Sequence, residues 1–253
     1  TGPTRGEVIL RNARVPRRVR VPLPAAELKV ESFEWVVVEV TQFTPHPDDM
    51  MGTVVERLGA GHERGIDVLL ILRDRGIVEE FPASVERAAE HLSVDWAHEI
   101  PRRRDLRDLP TATIDPATAK DLDDALSIEP LKGGGWRLWV HIADVSHFVR
   151  HGDVIDREAR DRATSVYPVD RVVPMLPERL SNDLCSLRPR EDRLTVTCEM
   201  IVEANGGVAD AAVYSSIIHS RHRLAYEQVQ ACFDDPKADA VQSFGDMHGQ
   251  LHH

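Results

Sequence analysis

The sequence predicts a mixed α+β chain, and three observations carry that expectation. Short β-branched segments broken by turn residues fill residues 1–80. The apolar period changes to a helical one over residues 83–93. Beyond residue 107, strand-like and helix-like stretches alternate.

The first expected strands are Gly6–Asn12, Arg17–Leu23, Trp35–Phe43, Gly52–Leu58 and Ile66–Leu72. Trp35-Val36-Val37-Val38-Glu39-Val40 is rich in the aromatic and β-branched residues that suit a pleated surface. Pro22 and Pro24, then Pro45 to Asp49, then Gly59-Ala60-Gly61 supply the turns. Five such strands fit a small OB-like β-barrel, a common single-strand nucleic-acid binder, although other small β-domains give the same pattern. Val85, Ala88, Ala89 and Leu92 then recur at helical spacing, with Ser84 as the expected cap after Pro82.

A polar connector, Glu99 to Pro110, carries Arg102, Arg103, Arg104 and Arg107, and the domain boundary is expected there. This divides the chain into an OB-like domain (1–80), a helix and connector (81–106) and a second domain (107–253). In the second domain Trp136–Val145 reads as a strand after Gly133-Gly134-Gly135, and Asp156–Ala163 as a helix. Leu194–Val202 and Val208–Ser216 read as strands paired around Asn205-Gly206-Gly207, and Tyr226–Phe233 as a helix.

Composition narrows the function classes. With 42% hydrophobic and 29% charged residues the chain is an ordinary globular one, not a disordered one. No apolar run approaches the ~20 residues of a membrane span, so no membrane partner is expected. No secretory signal is visible, and the three cysteines (Cys185, Cys198, Cys232) form neither a disulfide framework nor a zinc pattern. A cytoplasmic location is the simplest expectation. The net charge of −11 argues mildly against nucleic acid. Yet Arg5, Arg11, Arg14, Arg17, Arg18 and Arg20 face only Glu7 in residues 1–20, so basic surface exists locally. Those arginines could equally form solvated strand faces.

The most informative stretch runs from Thr113 to Ala125, where Asp115, Asp121, Asp123 and Asp124 fall within ten residues. Thr111–Ile114 is a plausible strand end that Pro116 stops. Four carboxylates held together repel one another unless a cation sits among them, and hard oxygen ligands select Mg²⁺, Mn²⁺ or Ca²⁺ over zinc. An EF-hand starting at Asp115 fails, because positions 6 and 12 are Lys120 and Leu126 rather than Gly and Glu. A phosphoryl-accepting aspartate would leave Asp115 and Asp124 without a role. Mg²⁺ held by several carboxylates plus a substrate phosphate fits better. An Asp-rich loop capping a helix remains the plain alternative.

Asp115-Pro-x-x-Ala-Lys-Asp121-x-Asp123-Asp124-Ala125, followed by His141-Ile142-Ala143-Asp144-Val145, resembles the catalytic (RNB) domain of the RNase II/RNase R exoribonucleases. Thr164-Ser165-Val166-Tyr167, Pro174-Met175-Leu176-Pro177-x-x-Leu180-Ser181, Leu184-Cys185-Ser186-Leu187 and Ser220-x-x-Arg223-Leu224-x-Tyr226 follow in the family order. Upstream, Gly52 to Gly59 and Phe81-Pro82 are similar to that family's second cold-shock domain.

The resemblance implies an N-terminal OB-like (cold-shock) β-barrel followed by part of an α/β RNB catalytic domain. It implies hydrolysis of single-stranded RNA from the 3′ end to nucleoside 5′-monophosphates. Mg²⁺, with Mn²⁺ as a substitute, would be held by Asp115, Asp121, Asp123 and Asp124, with Asp123 the most critical carboxylate. Tyr226 would contact the 3′-terminal nucleotide at the cleavage site, Tyr167 would stack on a base near the RNA end, and Arg223 would bind RNA. The plain readings are that Tyr226 packs in a core with Val229 and Phe233, that Tyr167 anchors a loop, and that His141 and Asp144 serve the fold. Cys185 reads as packing, and Met175–Leu187 as core or a channel wall. The family's catalytic domain is longer than residues 107–253, and its later part supplies an arginine and acidic residues. The chain by itself is therefore expected to be catalytically incomplete, with the remainder as a further segment or separate chain. An RNA-binding protein with an inactive nuclease domain is the alternative, and a phosphatase acting on small molecules a third.

Overall fold

The protein is described by a computed structural model covering residues 5–11, 18–22, 29–43 and 50–235. The expected turns at Pro24 and Pro45–Asp49, and Arg14 and Arg17, lie outside the described residues. The chain divides into two compact units, residues 1–78 with 167–172, and residues 79–166 with 173–253.

In the first unit, β1 (Arg5–Ile9), β2 (Arg18–Pro22), β3 (Glu34–Gln42) and β4 (Met50–Ala60) form a sheet in the order β1-β2-β4-β3. β2 alternates buried and exposed residues, and Val19, Val21, Met50 and Val54 form the core. Gly52 admits no side chain, because a Cβ there would lie 2.7 Å from the Glu39 carbonyl oxygen.

The expected fifth strand is wrong: residues 66–74 form helix α1 (Ile66–Asp74). A short apolar run does not distinguish strand from helix by period alone. Asp67 in the first turn and Arg73 in the last suit the helix dipole. Arg73 then anchors the helix to β4, its Nε and Nη2 donating to the Glu56 carboxylate at 3.0 and 2.7 Å.

The second unit begins with α2 (Ala83–Glu90), α3 (Trp96–Glu99) and a 3-10 turn at Ile100–Arg102. The cap of α2 is Pro82, not Ser84, which lies inside the first turn. The strands are β5 (Arg104–Asp105), β6 (Ala112–Asp115), β7 (Asp124–Pro130), β8 (Trp136–Ala143), β9 (Asp192–Val202), β10 (Val208–His219) and β11 (His222–Ala225). Helices α4 (Val145–Phe148) and α5 (Val154–Arg162) follow β8, a π-helical turn spans Arg179–Leu184, and α6 (Tyr226–Asp234) ends the described chain. The sheet order is β11-β6-β7-β8-β9-β10-β5, antiparallel from β6 to β10, with a parallel strand at each edge. The mixed α+β expectation is borne out. Among the described residues no helix is long and apolar enough to cross a membrane.

The main core joins α2 (Val85, Ala89), α4 (Phe148), α5 (Ile155) and the Leu176–Leu187 segment to the sheet. That segment is therefore core. Burial pushes the Cys185 thiol up to about 12, so it stays protonated and unreactive at neutral pH.

A chain of buried polar groups crosses the sheet beneath this core. Thr111 bonds Ser127 (2.7 Å), Ser127 bonds His141 Nε2 (3.1 Å), and His141 Nδ1 bonds Thr197 (2.8 Å). Thr197 and Thr195 both meet the Ser216 hydroxyl, at 2.5 and 2.6 Å. Loss of water lowers the His141 pKa from 6.5 to about 4, so the ring is neutral, one nitrogen donating and the other accepting. Between those values the unfolded chain binds a proton that the folded protein refuses. Stability is thus complete above pH 6.5 and falls as pH drops toward 4, by up to about 3 kcal/mol for a shift of this size. Urea unfolding of the wild type should weaken more steeply across that window than unfolding of His141→Gln. Parallel pH profiles would refute the assignment.

Candidate functional site

Asp115 ends β6, Asp121 and Asp123 sit on the following loop, and Asp124 opens β7. The loop has almost no secondary structure of its own, so its backbone groups need partners from elsewhere. Arg223 on β11 supplies two, its Nη2 donating to the carbonyls of Ala117 (2.8 Å) and Ala119 (2.6 Å). Buried Ser186 supplies two more, donating to the Lys120 carbonyl (2.7 Å) and accepting from the Leu122 N–H (3.2 Å). The Leu187 N–H donates to the Leu122 carbonyl, and the Ala143 N–H to the Asp123 carbonyl, both at 2.9 Å. Leu122 is 2% exposed and pins the loop into the core. The aspartates are therefore carried on a backbone fixed from three directions.

The carboxylates act on one another. Asp115 is held above the usual carboxylate range, first by loss of water, then by the charge of Asp124, with Asp123 and Asp121 adding to it and Arg223 opposing. Asp123 is raised by surrounding protein, then by Asp121 and Asp124, although its side chain reaches solvent. Asp115 Oδ2 is buried with no hydrogen-bond partner. Among the described residues no three acidic, histidine or cysteine side chains stand close enough together to hold a metal ion as they are. The donor chemistry nonetheless suits a hard divalent cation: oxygen ligands only, mutual repulsion to be neutralised, and one buried carboxylate oxygen unsatisfied.

Tyr226 opens α6, directly after Ala225, which pairs with Asp115 in the parallel β11–β6 ladder. It is 55% exposed, so the packing expectation for its ring is wrong; Val229 and Cys232 are the buried positions of α6. Arg223, expected to bind RNA, spends one guanidinium nitrogen on the aspartate loop. Tyr167 is exposed and is a member of the first unit, whereas the aspartates are members of the second.

Asp144 is not a member of the cluster. It caps α4, accepting from the His147 N–H, and pairs with Arg103 at 2.8 Å. Arg103 also donates to Glu99 at 2.7 Å, and all three side chains are at most 10% exposed. The Arg103 guanidinium beside Glu99 holds that carboxyl below its usual range. Sequence reasoning missed Arg103 and Ser186 as supports. Ser186 stood in a recognisable motif, but nothing local showed what its hydroxyl holds.

The RNB domain family matches residues 103–253, and the Cold shock domain family matches residues 8–82. Ribonuclease R 1 of Lactococcus lactis is 45% identical over 227 residues, covering 88% of this chain and 28% of that relative. The solved structure of Mycoplasma genitalium RNase R in complex with ribose methylated single-stranded RNA matches with a TM-score of 0.80 at 32% identity. That match covers 92% of this chain and 38% of the other. Yeast Ssd1, described as a pseudonuclease, matches with a TM-score of 0.72 at 20% identity, which speaks for the fold alone. The chain thus spans roughly a quarter to a half of the length of the relatives it matches.

Proposed function

The chain belongs to the RNB-domain family, and from that premise we propose that it forms part of a 3′-to-5′ exoribonuclease. Its substrate is single-stranded RNA, released as nucleoside 5′-monophosphates, and the location is cytoplasmic. The observation that carries this reading is the buried, unpartnered Asp115 carboxylate oxygen among four mutually repelling aspartates. Asp115, Asp121, Asp123 and Asp124 would hold Mg²⁺, with Mn²⁺ as a substitute. Bound there, the ion supplies charge stabilisation at the phosphate oxygens.

The chain's own groups position the site and the RNA. Arg223 and Ser186 keep the loop rigid, so that the carboxylates need little reorganisation when substrate arrives. Tyr226, exposed beside the end of β6, contacts the 3′-terminal nucleotide. Tyr167 stacks on a base, a contact every nucleotide can make.

The test is the complete protein on 5′-labelled single-stranded RNA, with Mg²⁺ and with EDTA. Products should shorten from the 3′ end, with 5′-mononucleotides released only when Mg²⁺ is present. RNA that is bound but never shortened would favour an RNA-binding protein with an inactive nuclease domain.

A further inference from the structure

We propose that Arg171 is a positioning residue for Tyr167: its fork to Asp170 and its bond to the Gly65 carbonyl latch the loop on which the ring stands. The proposal rests on the reading that Tyr167 stacks on an RNA base, and it says what keeps that ring in place. Tyr167 is 61% exposed, and Val169, two residues on, is 98% exposed. A ring so exposed on a free loop would have to be ordered each time RNA binds, which weakens affinity.

Three restraints act on that loop. At its root, the Val166 N–H donates to the Val173 carbonyl at 2.9 Å, and the Val173 N–H to the Val166 carbonyl at 2.8 Å. Pro168 disfavours helical backbone at Tyr167, the residue before it. On the far side, Arg171 Nε and Nη2 donate to the two oxygens of Asp170 at 3.0 and 2.9 Å. Nη2 also donates to the Gly65 carbonyl at 3.3 Å. The Arg171 fork holds the Asp170 carboxyl below the usual carboxylate range, so the pair is charged at neutral pH.

The anchor is shaped for the latch. The Gly65 carbonyl takes the first helical bond of α1 from the Leu69 N–H at 3.0 Å, which fixes its direction. Gly65 has a φ of 81°, and a Cβ there would lie 2.5 Å from Arg171 Nη2 and 2.8 Å from Asp170 Oδ2. The glycine therefore serves twice: it allows the left-handed turn before α1, and it leaves room for the guanidinium and its carboxylate.

The experiment measures binding of a labelled single-stranded RNA to the complete protein in EDTA, which stops turnover, as a double-mutant cycle with Tyr167→Ala. Tyr167→Ala should weaken binding about fivefold to a hundredfold, which is what one stacked base contributes. Asp170→Asn/Arg171→Met, which leaves the net charge unchanged, should weaken it about two- to tenfold, as expected for ordering one mobile side chain. In the Tyr167→Ala background the same pair of changes should have no further effect. Gly65→Ala, which crowds the latch without altering a charge, should show the same dependence on Tyr167. The log-affinity against log-salt slope should match wild type throughout, because no phosphate contact is lost. Equal losses with and without the ring would overturn the latch and mark a general structural defect. A slope shallower by about 0.7 in the Asp170/Arg171 variant would also refute it, since that is the signature of a direct phosphate contact. Wild-type affinity in Tyr167→Ala would remove the stacking reading itself, and the latch with it.

Discussion

Asp123→Asn should lower the rate of mononucleotide release by at least about 10²-fold while leaving RNA affinity largely intact. The size follows from what one preorganised electrostatic group contributes to stabilising transition-state charge, where losses of about 10²–10³ are usual. The substitution changes one atom type and keeps the shape. The Asp123 backbone remains tied to Ala143, and Leu122 remains in the core, so the fold is spared. Removing one of several repelling carboxylates also relieves the charge that raises Asp115. The variant should therefore be at least as thermally stable as the wild type without metal. A rate equal to wild type would remove Asp123 from the centre. A lost rate accompanied by a lower melting temperature would mean a folding defect instead.

Arg103→Met should destabilise the second unit by about 3–5 kcal/mol, the usual cost of removing one partner from a buried ionic group. Arg103 lies between Glu99 and Asp144, and its loss leaves two carboxylates facing each other with little water. The Asp144 N–H is bonded to the Leu194 carbonyl, and the Ala143 N–H holds the Asp123 carbonyl. Activity should fall together with stability, because the end of β8 positions Asp123. The neutral triple variant Glu99→Gln/Arg103→Met/Asp144→Asn should recover a large part of the loss, since it leaves no charge uncompensated. Denaturant unfolding of the three proteins decides the matter. A single variant as stable as the wild type would show that the group is not energetically coupled.

The aspartates were legible in the sequence because they are local: four carboxylates within ten residues need no tertiary knowledge to be seen. What fixes them was not. Ser186 reaches Lys120 across 66 positions, and Arg223 reaches Ala119 across 104. The strand β7, which opens with Asp124, was also hidden. Its inward position Ser127 is polar because it joins the His141 chain, so the apolar alternation expected of a strand is broken there. β11 is four residues long and carries a histidine and an arginine, which gives no apolar pattern to read. The error at α1 is of another kind: an apolar run shorter than about three helical turns is ambiguous, and Arg73–Glu56 pairing decides it only in three dimensions.

The most direct test of the central claim, that these aspartates hold a hard divalent cation, is calorimetric titration of Mg²⁺ into the wild-type protein and into Asp121→Asn/Asp123→Asn. The wild type should bind saturably, and more tightly as pH rises, because carboxyls held above their usual range must first lose protons. In the variant the affinity should fall by at least about tenfold. Equal Mg²⁺ binding by the two proteins would contradict the claim.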